Sequence, residues 1–223
     1  LKDILQIPEP KSKPISIRQL GDNYASLLKE IHSRGDTNII LDISTEKILP
    51  FFREAVKVNM FSDYNNFFVI NLDMHTLNIP SWNEIGPNIT CLRLVTPDSD
   101  ELIEAVRIWQ RREFDFEITE NQVPIEAALV HDAVDMYVKG LKLYAVKGRQ
   151  ISKIKNSCAD AKRGPKTHGY QFVNFLKSME GNGTTGALKF NNEERYNGSR
   201  TEFKLEILEL YKGNFRKIGY WDQ

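Results

Sequence analysis

The sequence has no excess of charge of either sign. Its 223 residues include 30 Lys and Arg and 30 Asp and Glu, so the formal net charge is zero. A balanced chain creates no field that would draw in nucleic acid or an anionic membrane surface. The sequence also has no apolar run near the roughly 20 residues that a membrane-spanning helix needs. These two absences count against nucleic-acid binding and against a membrane span.

Cysteine is also scarce, with two residues in the whole chain. A structural zinc site needs about four ligands at short paired spacings, so we expect no metal site. Cys91 lies in the apolar run ITCLRLV, which predicts a small buried thiol. Cys158 lies in the polar stretch KNSCADAKRG, where a free exposed thiol would be a liability. We therefore expect Cys158 to need a disulfide partner.

What the sequence does contain is typical of a folded protein, with 41% apolar and 27% charged residues. In its first half, strand-like and helix-like patterns alternate. The predicted order is strand PISIRQL (14–20), helix 22–35, strand TNIILDI (37–43), a helix from Ser44 to about Phe61, and strand NFFVINL (66–72). This order predicts a parallel sheet flanked by helices, hence an α/β fold.

The second half continues with a strand, three helices and a hairpin. The predicted elements are strand ITCLRLV (89–95), the helix ELIEAVRIWQRREF, a long helix at 124–146, a helix opened by Thr167, and two strands joined by the turn KGN. The basic and polar stretch from 147 to 168 reads as a surface loop.

The stretch GNGTTG (181–186) matches the G-x-G-x-x-G pattern by letter. In dinucleotide-binding proteins those glycines leave a strand and open a helix whose N-terminus holds the pyrophosphate. Here the glycines follow a predicted helix and lead into the predicted strand ALKF. We interpret Gly181 and Gly183 as a helix end and Gly186 as the start of a strand, and we expect no bound cofactor.

No catalytic constellation stands out. His131 and Asp135 are four residues apart on one predicted helix, but a zinc enzyme would need a third ligand, so a surface pair is the simpler interpretation. No serine lies in G-x-S-x-G, and there is no Walker lysine loop. We predict no catalytic residues and no enzyme.

The pattern N-x-[ST] recurs three times in predicted loops or at the edges of elements. The acceptor asparagines are Asn88, Asn182 and Asn197. Single matches arise often by chance. Three of them, together with a cysteine that needs a partner, favour the secretory pathway and predict three glycosylation sites.

Several motifs carry a family resemblance. These are AALVHDAV, the Gly-Thr-Thr-Gly entry into ALKFN, the alternating strand FKLEILEL and the closing KIGYWD, preceded in order by IRQL, LLKEI, IILDIS and NITCLRL. Together they resemble the amino-terminal domain of ionotropic glutamate receptors, most closely the kainate type. The resemblance covers essentially the whole chain.

The resemblance implies a two-lobed clamshell of the type I periplasmic-binding-protein kind. By this correspondence 1–93 would be most of the membrane-proximal lobe, 94–186 a return to the distal lobe, and 187–223 the crossing back and the end of the domain. The first part of the distal lobe has no counterpart here. In the family, the cysteine at the place of Cys158 pairs with one in that region, so its partner would lie outside this chain.

The resemblance also implies a function without chemistry. Such a domain is the extracellular part of a glutamate-gated cation channel subunit at the postsynaptic membrane. It pairs subunits as homo- or heterodimers, directs their assembly into tetramers, and meets auxiliary or synaptic proteins.

The predicted helix after Ser44 carries more apolar residues than one narrow core stripe needs. One interpretation is a subunit interface at Ile48, Phe51, Phe52 and Ala55, and the other is burial of these residues inside the domain.

A second class of function is a clamshell that binds a small, amino-acid-like molecule between its lobes. Ser44 and Asp73 follow predicted strands and are the candidate anchors for such a ligand. They are equally well explained as a helix cap and a turn residue.

Overall fold

The computed structural model describes residues 15–21, 23–79, 86–111, 117–147, 167–191 and 198–222. Within these ranges the helices are α1 (Tyr24–Arg34), α2 (Thr45–Lys57), α3 (Asp100–Arg111), α4 (Ile125–Val146) and α5 (Thr167–Lys177). The strands are β1 (Asn38–Leu41), β2 (Asn66–Val69), β3 (Asn88–Arg93), β4 (Gly181–Gly183), β5 (Gly186–Phe190), β6 (Arg200–Thr201), β7 (Lys204–Tyr211) and β8 (Asn214–Asp222). Short 3-10 turns occupy Met74–Thr76 and Glu120–Gln122.

The chain divides into two compact units. The first comprises Leu1–Leu92 with Ile207–Gly219, and the second comprises Arg93–Glu206 with Tyr220–Gln223. The second change of unit comes at 206/207, and β5 and β6 pair within the three-stranded sheet β4-β5-β6 of the second unit.

A five-stranded sheet in the order β1-β2-β3-β7-β8 organises the first unit. Strands β1, β2 and β3 are parallel and in register from Asn38, Asn66 and Asn88 onward. Alternate residues of β2 and β3 are buried, as the two-residue period of a strand requires. The mostly parallel sheet with flanking helices confirms the predicted α/β class.

Aromatic rings fill the core between α2 and the sheet. The Phe52 ring centroid lies 5.4 Å from that of Phe67 and 5.5 Å from that of Phe61, both with edge-to-face tilts. The Phe51 centroid lies 6.3 Å from that of Phe67, and Tyr24 of α1 adds a contact to Phe51 at 6.2 Å. Such aromatic pairs contribute about 0.5–1.5 kcal/mol each beyond the area they bury.

The second unit has a smaller apolar core. Its cluster of buried residues consists of Val95, Leu102, Val106, Val123 and Ala128. Helices α4 and α5 pack at Gly140, where a Cβ atom would lie 2.3 Å from a side-chain carbon of Leu176. The same pair of helices holds the Tyr144 ring between Phe172 and Phe175, at centroid distances of 5.3 Å. Glycine at position 140 therefore sets how closely the two helices approach.

Two predicted local structures are wrong. Residues 15–20 of PISIRQL form no strand in the structure. Gly181 and Gly183 do not end a helix, because α5 stops at Lys177 and β4 spans Gly181–Gly183. The predicted hairpin around KGN is confirmed, with Lys212 and Gly213 at φ 50° and 79° between β7 and β8.

Candidate functional site

The most elaborate polar arrangement in the described chain surrounds the carboxylate of Asp132 on α4. Its Oδ1 atom accepts from Thr184 N at 2.6 Å and from Thr184 Oγ1 at 2.8 Å. Its Oδ2 atom accepts from Thr185 N at 2.9 Å and from Thr185 Oγ1 at 2.6 Å. All three residues are 3% exposed or less. We call Asp132, Thr184 and Thr185 the Asp132 latch.

Arg200 of β6 forms hydrogen bonds with the Asp132 latch through Thr185. Its guanidinium donates to Thr185 Oγ1 and to Thr185 O, both at 2.6 Å, and to Ala187 O at 2.9 Å. Burial lowers the pKa of Arg200 below its usual value, and attraction to the Asp132 carboxylate opposes this shift. The buried negative charge therefore lies near a positive one, as a buried carboxylate requires.

The latch explains the glycine-rich stretch. Thr184 and Thr185 form a two-residue loop between the paired residues Gly183 and Gly186, and Gly186 has a φ of 89°. A Cβ atom at position 183 would lie 2.5 Å from the Asp132 carboxyl carbon. These glycines shape a hairpin that closes on a carboxylate, and the hairpin opens no helix that could bind a phosphate.

His131 and Asp135 do not form the predicted surface pair. The His131 ring packs edge-on against Trp109 at a centroid distance of 5.4 Å, and its Nδ1 lies 3.6 Å from Asp132 Oδ1. Asp135 pairs instead with Lys139 at 2.6 Å. Among the described residues, no three His, Cys, Asp or Glu side chains come together as a metal site.

A second polar cluster lies where β1 and β2 end. Asn71 Oδ1 accepts from Thr45 Oγ1 at 3.2 Å and from Asp73 N at 2.9 Å, and Asn71 Nδ2 donates to Ile43 O at 3.1 Å. The Ser44 hydroxyl donates to the Glu46 carboxylate. The candidate ligand anchor Ser44 therefore has a local structural role through its side chain, and Asp73 has one through its main-chain N–H.

Two of the three predicted glycosylation sites lie within the described residues. Asn88 is exposed at the start of β3, where its Nδ2 donates to Asn66 Oδ1 at 2.8 Å. Asn182 is exposed in β4. Asn197 and Cys158 lie outside the described residues. Cys91 is fully buried, as predicted.

The predicted interface on α2 is not on the surface. Ile48, Phe52 and Ala55 are 0% exposed and Phe51 is 1% exposed. All four belong to the core of the first unit. Side chains already packed in this core have no surface left for a partner subunit, so this expectation is corrected in favour of the other interpretation, burial inside the domain.

An exposed apolar surface lies instead on α4. Val130, Val134, Tyr137 and Val138 are 64%, 57%, 50% and 40% exposed and share one side of the helix. We call them the α4 apolar face. Sequence reasoning missed this face because apolar residues occur on most sides of α4, so their pattern does not separate a covered side from an exposed one.

The described part of the chain presents an α/β fold with polar clusters that hold its own loops together. None of its described helices combines the length and apolar character needed to cross a membrane.

Comparison with known proteins identifies the family. The family model described as "Receptor family ligand binding region" matches residues 3–213, and the chain belongs to this family. Over 232 residues the chain is 27% identical to mouse "Glutamate receptor ionotropic, kainate 1", covering all of this chain and 27% of that protein. It is also 27% identical over 247 residues to the human protein of the same name, covering 26% of it.

The chain thus spans about a quarter of the length of the curated relatives it matches. These findings confirm the predicted resemblance to the amino-terminal domain of ionotropic glutamate receptors. That domain is extracellular on a plasma-membrane receptor. Its relatives are channels and not enzymes.

Proposed function

We propose that this chain is the extracellular amino-terminal domain of a glutamate-gated cation channel subunit, and that it directs subunit pairing and receptor assembly. The observation that carries the proposal is the similarity to a kainate receptor over the whole chain. The polar clusters favour this function over the binding of a small molecule. The Asp132 carboxylate and the hydroxyl of the candidate anchor Ser44 already form hydrogen bonds with other residues of the chain.

The exposed side chains of the α4 apolar face support an assembly role. Exposed apolar side chains that share one side of a helix tend to mark a surface that another polypeptide covers. Val134 lies on the side of α4 away from the buried Ala128 and Asp132, whereas Tyr137 also contacts Phe172 of α5 at a ring-centroid distance of 5.6 Å. We propose that another part of the receptor packs against the α4 apolar face, either from the same subunit or from a neighbouring one.

Domain exchange in the full-length receptor tests the proposed function. The domain containing this chain is swapped between two subunits that do not normally co-assemble, and co-purification of tagged subunits is measured. We expect co-assembly to follow the exchanged domain. Exchange of another part of the subunit, outside the region that this chain matches, serves as the matched control and should leave the pairing unchanged. Pairing that ignores the amino-terminal domain would contradict the proposal.

Contacts with auxiliary or synaptic proteins form the second part of the proposed function. They need an extracellular surface beyond the one used for subunit pairing. The purified domain, immobilised and exposed to purified auxiliary subunits, should retain at least one of them. Failure to retain any would limit the role of the domain to assembly.

A further inference from the structure

We propose that Asn182 accepts an N-linked glycan only while the β4–β5 hairpin is open, and that closure of the Asp132 latch withdraws the acceptor before every chain has been modified. The proposal rests on the proposed function, because an extracellular domain enters the secretory pathway and meets the glycosylating enzyme there during its synthesis. It concerns the timing of a modification that the sequence pattern alone leaves undetermined.

The acceptor side chain itself is compatible with a glycan in the finished fold. Asn182 is exposed in β4, which lies at the edge of its three-stranded sheet. A bulky, hydrated sugar requires such a position. A glycan added early would therefore project into water after the hairpin closes.

The rest of the acceptor pattern is hidden. Recognition requires Ser or Thr two residues after the asparagine, here Thr184. Thr184 is 1% exposed, its hydroxyl bonds to Asp132 Oδ1 and to Ala128 O, and its N–H bonds to Asp132. The main chain of Asn182 is paired with Ala187. An enzyme that must hold the Thr184 hydroxyl cannot reach it in the folded hairpin.

The transfer itself uses a lipid-diphosphate-linked oligosaccharide as donor. A bond forms between Asn182 Nδ2 and C1 of the first sugar while the bond from C1 to the diphosphate oxygen breaks. The lipid diphosphate leaves with the electron pair, and the amide nitrogen loses one proton. Nδ2 must therefore approach the donor with Thr184 held nearby, and the closed latch prevents this.

Chain order makes Asn182 more time-limited than Asn88. Asp132 precedes Thr184 by 52 residues, so the latch can close as soon as the hairpin has been synthesised. Asn88 begins β3, whose neighbours in the sheet are β2 and β7. Because β7 starts at Lys204, the sheet around Asn88 stays incomplete until much later. Asn88 therefore provides an internal reference for glycan occupancy.

The test measures glycan occupancy at both asparagines in the full-length protein secreted or displayed by mammalian cells. Enzymatic deglycosylation in ¹⁸O water marks each formerly occupied asparagine for mass spectrometry. Three forms are compared: wild type, Asp132→Asn, which removes two of the four acceptor contacts, and Val123→Ala. The last variant leaves a cavity in the core of the same unit without touching the latch.

We expect Asn182 to be less occupied than Asn88 in the wild type. The ratio of Asn182 to Asn88 occupancy should rise in Asp132→Asn and stay at the wild-type value in Val123→Ala. Full occupancy of both sites in the wild type, no rise in Asp132→Asn, or an equal rise in Val123→Ala would each overturn the proposal. A glycan missing at both asparagines in all three forms would instead overturn the extracellular assignment on which it rests.

A second measurement does not depend on the folding of any variant. A synthetic peptide of residues 178–188 and the folded, unglycosylated wild-type protein are each incubated with the transferase and the lipid-linked donor. We expect the peptide to be modified at Asn182 and the folded protein to remain unmodified there. Modification of both, or of neither, would contradict the proposal.

Discussion

The two units of the chain achieve a buried interior in different ways. Among the described residues, the main cluster of the first unit contains fifteen buried residues, including four phenylalanines, whereas that of the second contains five. The second unit buries charged groups in compensation. Its Arg93 Nε donates to Glu206 at 2.9 Å, and Asp132 is held by the latch. The first unit is held together mainly by apolar packing. The second unit relies more on buried, hydrogen-bonded charged groups.

This difference predicts where substitutions will be felt most. A dense apolar core loses stability through cavities, whereas a polar network loses it through unpaired donors. The four substitutions below follow this contrast, from the largest expected effect to the smallest.

Phe52→Ala in the first unit should have the largest effect. It removes a fully buried ring that contacts Phe61 and Phe67, and we expect a loss of about 4 kcal/mol in the free energy of unfolding. Urea denaturation followed by circular dichroism measures it. Tyr64→Ala, at a side chain that is 78% exposed, is the control and should change stability by no more than about 0.5 kcal/mol. Similar losses for both variants would contradict the assigned core.

Asp132→Ala tests the polar network of the second unit. It leaves four donors from Thr184 and Thr185 without their acceptor, and we expect a loss of about 3 kcal/mol in the free energy of unfolding. Asp135→Ala, on the same helix and with an ion pair to Lys139, should cost about 0.5 kcal/mol or less. Equal effects of the two aspartates in urea denaturation would show that the latch contributes nothing special.

Gly183→Ala tests the close approach of the hairpin to α4. The new methyl group would meet the Asp132 carboxylate, and we expect a loss of about 2 kcal/mol from overpacking. Gly181→Ala lies two residues away, and apart from its chain neighbours no heavy atom lies within 4 Å of the position that its new Cβ would take. Its effect on the free energy of unfolding should therefore be about 0.5 kcal/mol or less. A tolerated alanine at 183 would mean that the hairpin can move away from Asp132 at little cost.

Val134→Glu on the α4 apolar face should change the stability of the chain least. Because Val134 is 57% exposed, we expect a change of about 0.5 kcal/mol or less in the isolated chain. In the full-length receptor the buried charge should impair assembly and surface delivery, measured by native gels and surface labelling. Lys142→Gln changes the charge by the same amount outside the face and should behave as wild type. Normal assembly of the Val134→Glu receptor would contradict the proposal that another part of the receptor packs against the α4 apolar face.

Sequence patterns predicted the elements that depend on local periodicity. The helices α2, α3, α4 and α5 and the β7–β8 hairpin lie where hydrophobic spacing and the turn KGN placed them. The α/β class follows from their order. The strand at 14–20 was wrong because alternation alone does not supply a neighbouring strand. The apolar excess on α2 was compatible with either a core or an interface, and the aromatic cluster around Phe67 decides for the core.

The latch could not have been predicted from local sequence. Its partners Asp132 and Thr184 are 52 residues apart, and GNGTTG reads equally well as a turn after a helix. One signal was present in the sequence: Asp132 is an acidic residue within the apolar face of the strongest predicted helix. A buried carboxylate needs donors, and two adjacent threonines in a tight loop supply four.

Three asparagines at the start of the parallel strands have a further consequence for the sheet. Asn88 Nδ2 donates to Asn66 Oδ1 at 2.8 Å, and Asn66 Nδ2 donates to Asn38 Oδ1 at 2.9 Å. A slip of one strand by two residues would keep every buried side chain on its proper face, because the side-chain period is two. Burial therefore cannot tell the native alignment from that slip. The hydrogen bonds between the three asparagine side chains distinguish the two alignments, because they form only in the native one. The native alignment is therefore specified by side chains that lie outside the core.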